Sequence, residues 1–138
     1  MINVESGNFS MKKEMIFTQK ATKPTSWYTQ AVKHDNMVFL AGACGDDPVT
    51  GEILGDGDIR IESKAALENI KHTIEAAGGT MENIVKMQVY VKDLSMIPEF
   101  NEVYKTYFPE NPPARIAMAV KDFMGGANLE IDGIAILD

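Results

Sequence analysis

At 138 residues the chain has the length of one domain, enough to bury roughly two-thirds of its extended surface on folding. Its 13 Lys and Arg against 20 Asp and Glu give a formal net charge of -7, which favours solubility and disfavours nucleic acid and anionic membranes, both of which need clustered positive charge. One cysteine, Cys44, excludes an internal disulfide, and two histidines leave no set of residues at zinc-ligand spacing.

In chain order, residues 1–13 read as a flexible polar tail ahead of a single domain over 14–138, with Met11 and Met15 leaving a later natural start open. The tail lacks the apolar stretch of a signal peptide. No apolar run approaches the roughly 20 residues of a membrane helix. Cytoplasm is therefore the expected compartment. Met15–Gln19 is a short extended segment, and Trp27–Lys33 is a second. Asn36–Ala43 is the clearest early strand, with Val38 and Phe39 as strand formers behind the turn pair Asp35-Asn36. Pro48-Val-Thr-Gly51 reads as a tight turn, and the glycines and aspartates of 51–58 keep the chain irregular.

Ile59–Ala77 is the principal helix, with Ala66, Ile70, Ile74 and Ala77 on one face and Glu62, Lys64, Glu68, Lys71 and Glu75 mostly on the others. Glu68–Lys71 and Lys71–Glu75 are spaced for mutual support, and Gly78-Gly79 stops the helix. Ile84–Val91 alternates as a strand, Val85, Met87, Val89 and Val91 forming the apolar face. A second helix over Ile97–Tyr107 packs through Phe100, Val103, Tyr104 and Tyr107. After the rigid Asn111-Pro-Pro come strands Ala114–Val120 and Asn128–Leu137, joined by a turn at Gly125-Gly126. The order β-β-β-α-β-α-β-β predicts an α+β fold, a mainly antiparallel mixed sheet with two helices on one face. Strands 37–42 and 116–120 are apolar on both sides, so the sheet face away from the helices needs a cover. Self-association would supply it, as would the N-terminal segment folded across that face.

Glycine-rich phosphate loops and His-Glu-x-x-His are absent, and the aspartates near Gly55 fall short of a calcium loop. Arg115 opens an otherwise uncharged apolar strand, where a guanidinium needs an anion or several acceptors. It either pairs with an internal carboxylate or clamps the carboxylate of a substrate. Glu130 and Asp132 share a strand face. Glu130 is a partner for Arg115 or a holder of water, while Asp132 reads as solvated. The Tyr28 hydroxyl orients a ligand or the ring packs in the core. His34 and His72 read as surface residues, and Cys44, with no histidine nearby, as an inert thiol.

Taken together, Tyr28-Thr-Gln-Ala-Val32, Phe39-Leu-Ala-Gly42, Asp47-Pro-Val-Thr-Gly-Glu52, Glu75-Ala-Ala-Gly78, Val85–Asp93, Asn101-Glu-Val-Tyr104, Pro113-Ala-Arg115 and Leu129–Ala135 make the chain resemble the Rid family. These reactive intermediate deaminases are also known as the YjgF family, and the resemblance runs from about Ile16 to Ile136. It implies a chorismate-mutase-like fold and a homotrimer with ligand clefts between subunits. It also implies hydrolysis of 2-enamine and 2-imine acids, typified by 2-aminoacrylate, to 2-keto acids and ammonia without a metal or organic cofactor. The family's carboxylate-binding arginine matches Arg115, the acid associated with the attacking water matches Glu130, and cleft tyrosine and asparagine match Tyr28 and Asn101. The sequence departs from the pattern at Ala41, where the best-known deaminases carry serine, and at Ala117, where they often carry cysteine. Ser26-Trp27 replaces a glycine-proline, placing the Trp27 indole beside the expected cleft. These departures keep open a rival reading, a small-carboxylate binding or regulatory protein without significant turnover.

Overall fold

The two-residue apolar repeat of the strands and the helical repeat of 59–77 meet on one side of a single sheet. The computed structural model describes residues 12–138, so the tail expected over 1–13 lies almost wholly outside them, and Lys13 already opens the first strand. Strands β1 (Lys13–Ile16), β2 (Ala31–His34) and β3 (Met37–Cys44) precede helix α1 (Ile59–Ala76). Strand β4 (Ile84–Val91), helix α2 (Ile97–Tyr107), β5 (Ala114–Ala119) and β6 (Leu129–Ile136) follow. The strands lie in the order β1-β2-β3-β6-β4-β5. Only β4 and β5 are parallel, because α2 carries the chain back between them. The mixed sheet with two helices thus follows the order of elements read from the sequence.

The core forms between helices and sheet. Ala66, Leu67, Ile70 and Ile74 of α1 meet Val38 and Leu40, then Met87, Val89 and Val91, then Leu129 and Ile131, all buried. Phe100 and Tyr104 of α2 close one end. Each large apolar side chain so enclosed stabilises by about 1.5–3 kcal/mol. The Asp58 side chain caps α1 by accepting from Arg60 N and Ile61 N. Its end is set by Gly78, whose φ of 94° admits no ordinary side chain without strain, while Gly79 N donates to Ile74 O at 2.9 Å.

Four local expectations need correction. The second extended segment shrinks to Ala31–His34, because the Gln30 amide donates to Thr18 O and Thr22 O and accepts from Thr18 N, folding 17–30 into a loop. Val85 is exposed: the register slips between Ile84 and Lys86, and Ile84 takes its place in the core. Glu68 approaches His72 and accepts from the Tyr107 hydroxyl, whereas no ion pair to Lys71 forms among the described residues. Glu62, assigned to a polar side, is fully buried: its carboxylate accepts from Asn128 N at 2.7 Å and Asn128 Nδ2 at 2.8 Å. That pair ties α1 to the start of β6.

The opposite face of the sheet is open in the single chain, exposing Phe39, Ile116, Met118 and Ile136. An N-terminal cover would have to come from residues outside those described. Among the described residues no helix is long and apolar enough to cross a membrane. Glu62→Ala should lower stability by about 2–3 kcal/mol, because it leaves the part-buried Asn128 N–H unpaired and removes two bonds to a charged acceptor. Urea unfolding monitored by circular dichroism checks this.

Candidate functional site

Glu130 is the second residue of β6, flanked in register by Cys44 of β3 and Tyr90 of β4. Its neighbours Leu129 and Ile131 point into the core, so its own side chain stands on the open face. Beside it β3 bulges: the pairing jumps between Leu40 and Ala43, leaving Ala41 and Gly42 opposite a single residue of β6. The bulge lets the main chain touch the carboxylate, and a Cβ built on Gly42 would overlap Glu130 Oε2. No larger residue fits at 42 unless Glu130 moves.

Tyr28, Ala41, Gly42, Cys44 and Glu130 line one cleft of about 740 Å³. Its wall is the loop that Gln30 braces. At its base Asn69 Nδ2 donates to Cys44 O at 3.0 Å and Asp46 O at 3.1 Å, and Thr22 Oγ1 donates to Asp46 Oδ1 at 2.7 Å. Burial raises the Asp46 carboxyl above its usual range, while the bond from Thr22 acts in the opposite sense. Cys44 is pushed up to about 12, first by burial and then by the negative charges of Glu130 and Asp46. A thiol held protonated at neutral pH is no nucleophile, in keeping with the inert reading.

Arg115 lies elsewhere. It sits on β5, an edge strand, in register with buried Met87, and so faces the helix side of the sheet. Its Nη1 donates to Asn101 Oδ1 at 2.8 Å, and its guanidinium carbon lies 4.8 Å from the Tyr104 ring centre and 5.9 Å from that of Phe100. No salt bridge to Arg115 forms among the described residues, so the internal carboxylate pairing left open above is not found there. Ala117, two residues on, shares that side and packs against the core.

The predicted site residues therefore form two groups. Tyr28, Ala41 and Glu130 share the cleft, while Arg115, Asn101 and Ala117 stand at the far edge of the sheet. Glu130 pairs with Tyr90, which pairs with Met118, three residues along from Arg115. Two strand spacings and three residues separate the pair by roughly 14 Å between Cα atoms, on opposite faces. Trp27 is 100% exposed and does not line the cleft of its own chain, so the indole beside the cleft is not a wall of it here. Asp132 departs from the solvated reading: Oδ1 is buried without a partner, and burial raises its carboxyl. Gly42, Gln30 and Tyr104 were not singled out for the site from sequence. A glycine inside an apolar strand is the one signal that pointed to the first of them. Among the described residues no group of three or more His, Cys, Asp or Glu side chains is placed to hold a metal ion.

Comparison with known proteins gives a consistent picture. The family model for endoribonuclease L-PSP matches residues 18–137. A RutC family protein of Pyrococcus abyssi is 46% identical over 125 residues, which is 91% of this chain and 98% of that protein. The 2-iminobutanoate/2-iminopropanoate deaminase of Rattus norvegicus is 37% identical over 127 residues, 92% of each chain. The crystal structure of RidA from the Antarctic bacterium Psychrobacter superposes with a TM-score of 0.86 at 38% identity, covering 90% of this chain and 99% of that one.

The environment of Cys44 makes a pH-dependent prediction. Its raised thiol should alkylate with iodoacetamide at pH 8 roughly 10³-fold more slowly than a free cysteine, with the rate still climbing above pH 10. Glu130→Gln removes one negative charge beside it and should speed the reaction; mass spectrometry of the single modified cysteine follows both.

Proposed function

This chain belongs to the endoribonuclease L-PSP family, which includes the Rid (YjgF) proteins, and on that premise we propose that it hydrolyses 2-enamine and 2-imine acids of the 2-aminoacrylate type to 2-keto acids and ammonia. The observation that carries the reading is Arg115, a permanent cation held by an amide and two aromatic rings with no carboxylate partner among the described residues. Such a group suits a small carboxylate bound through parallel hydrogen bonds.

With the carboxylate fixed on Arg115, C2 of the substrate is placed rather than left to diffuse, and placement supplies much of the acceleration. An enamine takes a proton from solvent at C3 and so becomes the protonated imine directly. Once the imine nitrogen is protonated, C2 is electrophilic. Water held by Glu130 adds to C2, and Glu130 takes its proton. The tetrahedral carbinolamine then receives that proton on nitrogen, the C–N bond breaks with loss of ammonia, and the remaining hydroxyl returns its proton to Glu130 and becomes the keto oxygen. The scheme draws on no cofactor.

Within one chain the water-holding acid and the anion clamp stand on opposite faces, so the working site is formed where copies meet. Arg115 and Asn101 of one copy face Glu130, Tyr28 and Ala41 of the next. A head-to-tail contact of that kind closes into a ring, here a homotrimer operating in the cytoplasm. It would also cover Phe39, Ile116, Met118 and Ile136, which a lone chain leaves wet. Trp27, exposed at the edge of the loop, then meets the neighbouring copy and not its own cleft. A binding or regulatory role without turnover is favoured instead by Ala41, a cleft wall with no hydroxyl to offer.

Supplied with imines generated in situ from amino acids, the protein should release keto acid and ammonia faster than the spontaneous reaction. Arg115→Ala should abolish the acceleration, and Glu130→Gln should cut it by about 10²–10⁴. Saturable carboxylate binding without acceleration would instead favour the regulatory reading. Mixing the two variants before reassembly should restore about a quarter of wild-type activity, because random pairing leaves that share of shared sites intact. No recovery on mixing would overturn the shared site.

A further inference from the structure

One turn of α2 supplies everything that holds Arg115. Phe100, Asn101 and Tyr104 all lie on it, and Phe108 follows at the same helical spacing just beyond its end. We propose that Tyr104 is a positioning residue, a rigid aromatic platform that fixes the plane of the Arg115 guanidinium; this rests on the anion clamp proposed above.

The need for such a platform follows from where Arg115 stands. Strand β5 is an edge strand, hydrogen-bonded to the sheet through β4 alone. A long side chain there has many rotamers, and ordering it costs conformational entropy. One hydrogen bond, Nη1 to Asn101 Oδ1, fixes a point and still permits rotation about it. A ring 4.8 Å beneath the guanidinium carbon sets the remaining orientation. With its central carbon over the ring and Nη1 on Asn101, the guanidinium keeps N–H groups for a two-oxygen anion.

Tyr104 is itself tightly enclosed. It is 6% exposed and wedged between Phe100 and Phe108, with ring centres 5.4 Å and 4.7 Å away. Its hydroxyl is buried without a hydrogen-bond partner, so the ring face, and not the phenol oxygen, is what it offers its surroundings. Asn101 fits the same logic: its Oδ1 accepts from Arg115, so the amide acts through the arginine as well.

The test measures binding of 2-oxobutanoate, a 2-keto acid of the product class, to the assembled protein by calorimetry. Tyr104→Phe should bind as the wild type does and be at least as stable, having lost an unpaired hydroxyl. Tyr104→Leu should bind about tenfold more weakly, within the range of cation–π contributions. Because the leucine variant also alters packing, phenylalanines carrying one, two and three ring fluorines are placed at 104. They keep the shape and drain the ring face, so affinity should fall stepwise with each fluorine while assembly mass stays constant. A flat series alongside lost binding in Arg115→Ala removes the platform and leaves the clamp standing. Undiminished binding in Arg115→Ala removes the clamp, and the platform with it.

Discussion

Side chains along a strand alternate between two faces, and that parity governs this molecule. Helices α1 and α2 seal one face, so residues in phase with Val89 and Ile131 are core, and residues out of phase form the open side. Arg115 is in phase with the core and escapes it only because β5 is an edge, where the guanidinium can turn outward over Tyr104. Glu130 is out of phase. The charged pair assigned to the proposed chemistry is thereby split by the sheet itself. No rotamer change within one chain brings the two together. The proposed chemistry therefore calls for a second copy of the chain.

The cleft depends on polar groups that carry no charge. The Gln30 amide gathers the backbone of 18–22, and the Asn69 amide does the same for Cys44 and Asp46. Both residues are buried, at 7% and 3% exposure, so each unmade bond would cost more than the bond itself contributes. Glu62 plays a comparable part below the site by holding Asn128 at the root of β6. The strand bearing Glu130 is thus anchored at its first residues, while the Arg115 side chain of β5 is held by α2. Rigidity reaches the two halves of the site by separate routes.

Much of the fold was legible because it rests on periodicity. The bounds of β4 and α2, the end of α1 at Gly78, and the order of strands and helices come from repeating apolar positions and from glycine where φ must be positive. Positions that escaped reading break the repeat. Val85 looked like core because nothing local announces a bulge, and the slip depends on how β6 pairs alongside. Glu62 looked solvated because its partner, Asn128, lies 66 residues away. Arg115 and Glu130 stood out as charges in apolar strands, and resemblance to Rid proteins gave them expected roles. Their separation across the sheet could not be seen, since it depends on which strands become neighbours. Tyr104 was read as packing, which it is; its ring beneath the guanidinium appears only once α2 is laid against β5.

The doubled position at Ala41 and Gly42 has a further effect on β3. Before it, even-numbered residues, Val38 and Leu40, turn toward the helices; after it the rhythm shifts by one, and Ala43 turns inward opposite Ile131 while Cys44 joins Glu130. The strand is therefore two short ladders spliced out of step, the first serving the interior and the second the crevice. Its length at that splice is as much a part of the specification as the identity of any residue in it: a chain one residue shorter there would pair without a bulge, leaving Ala43 inward and Cys44 beside Glu130 but removing the extra backbone that the carboxylate touches.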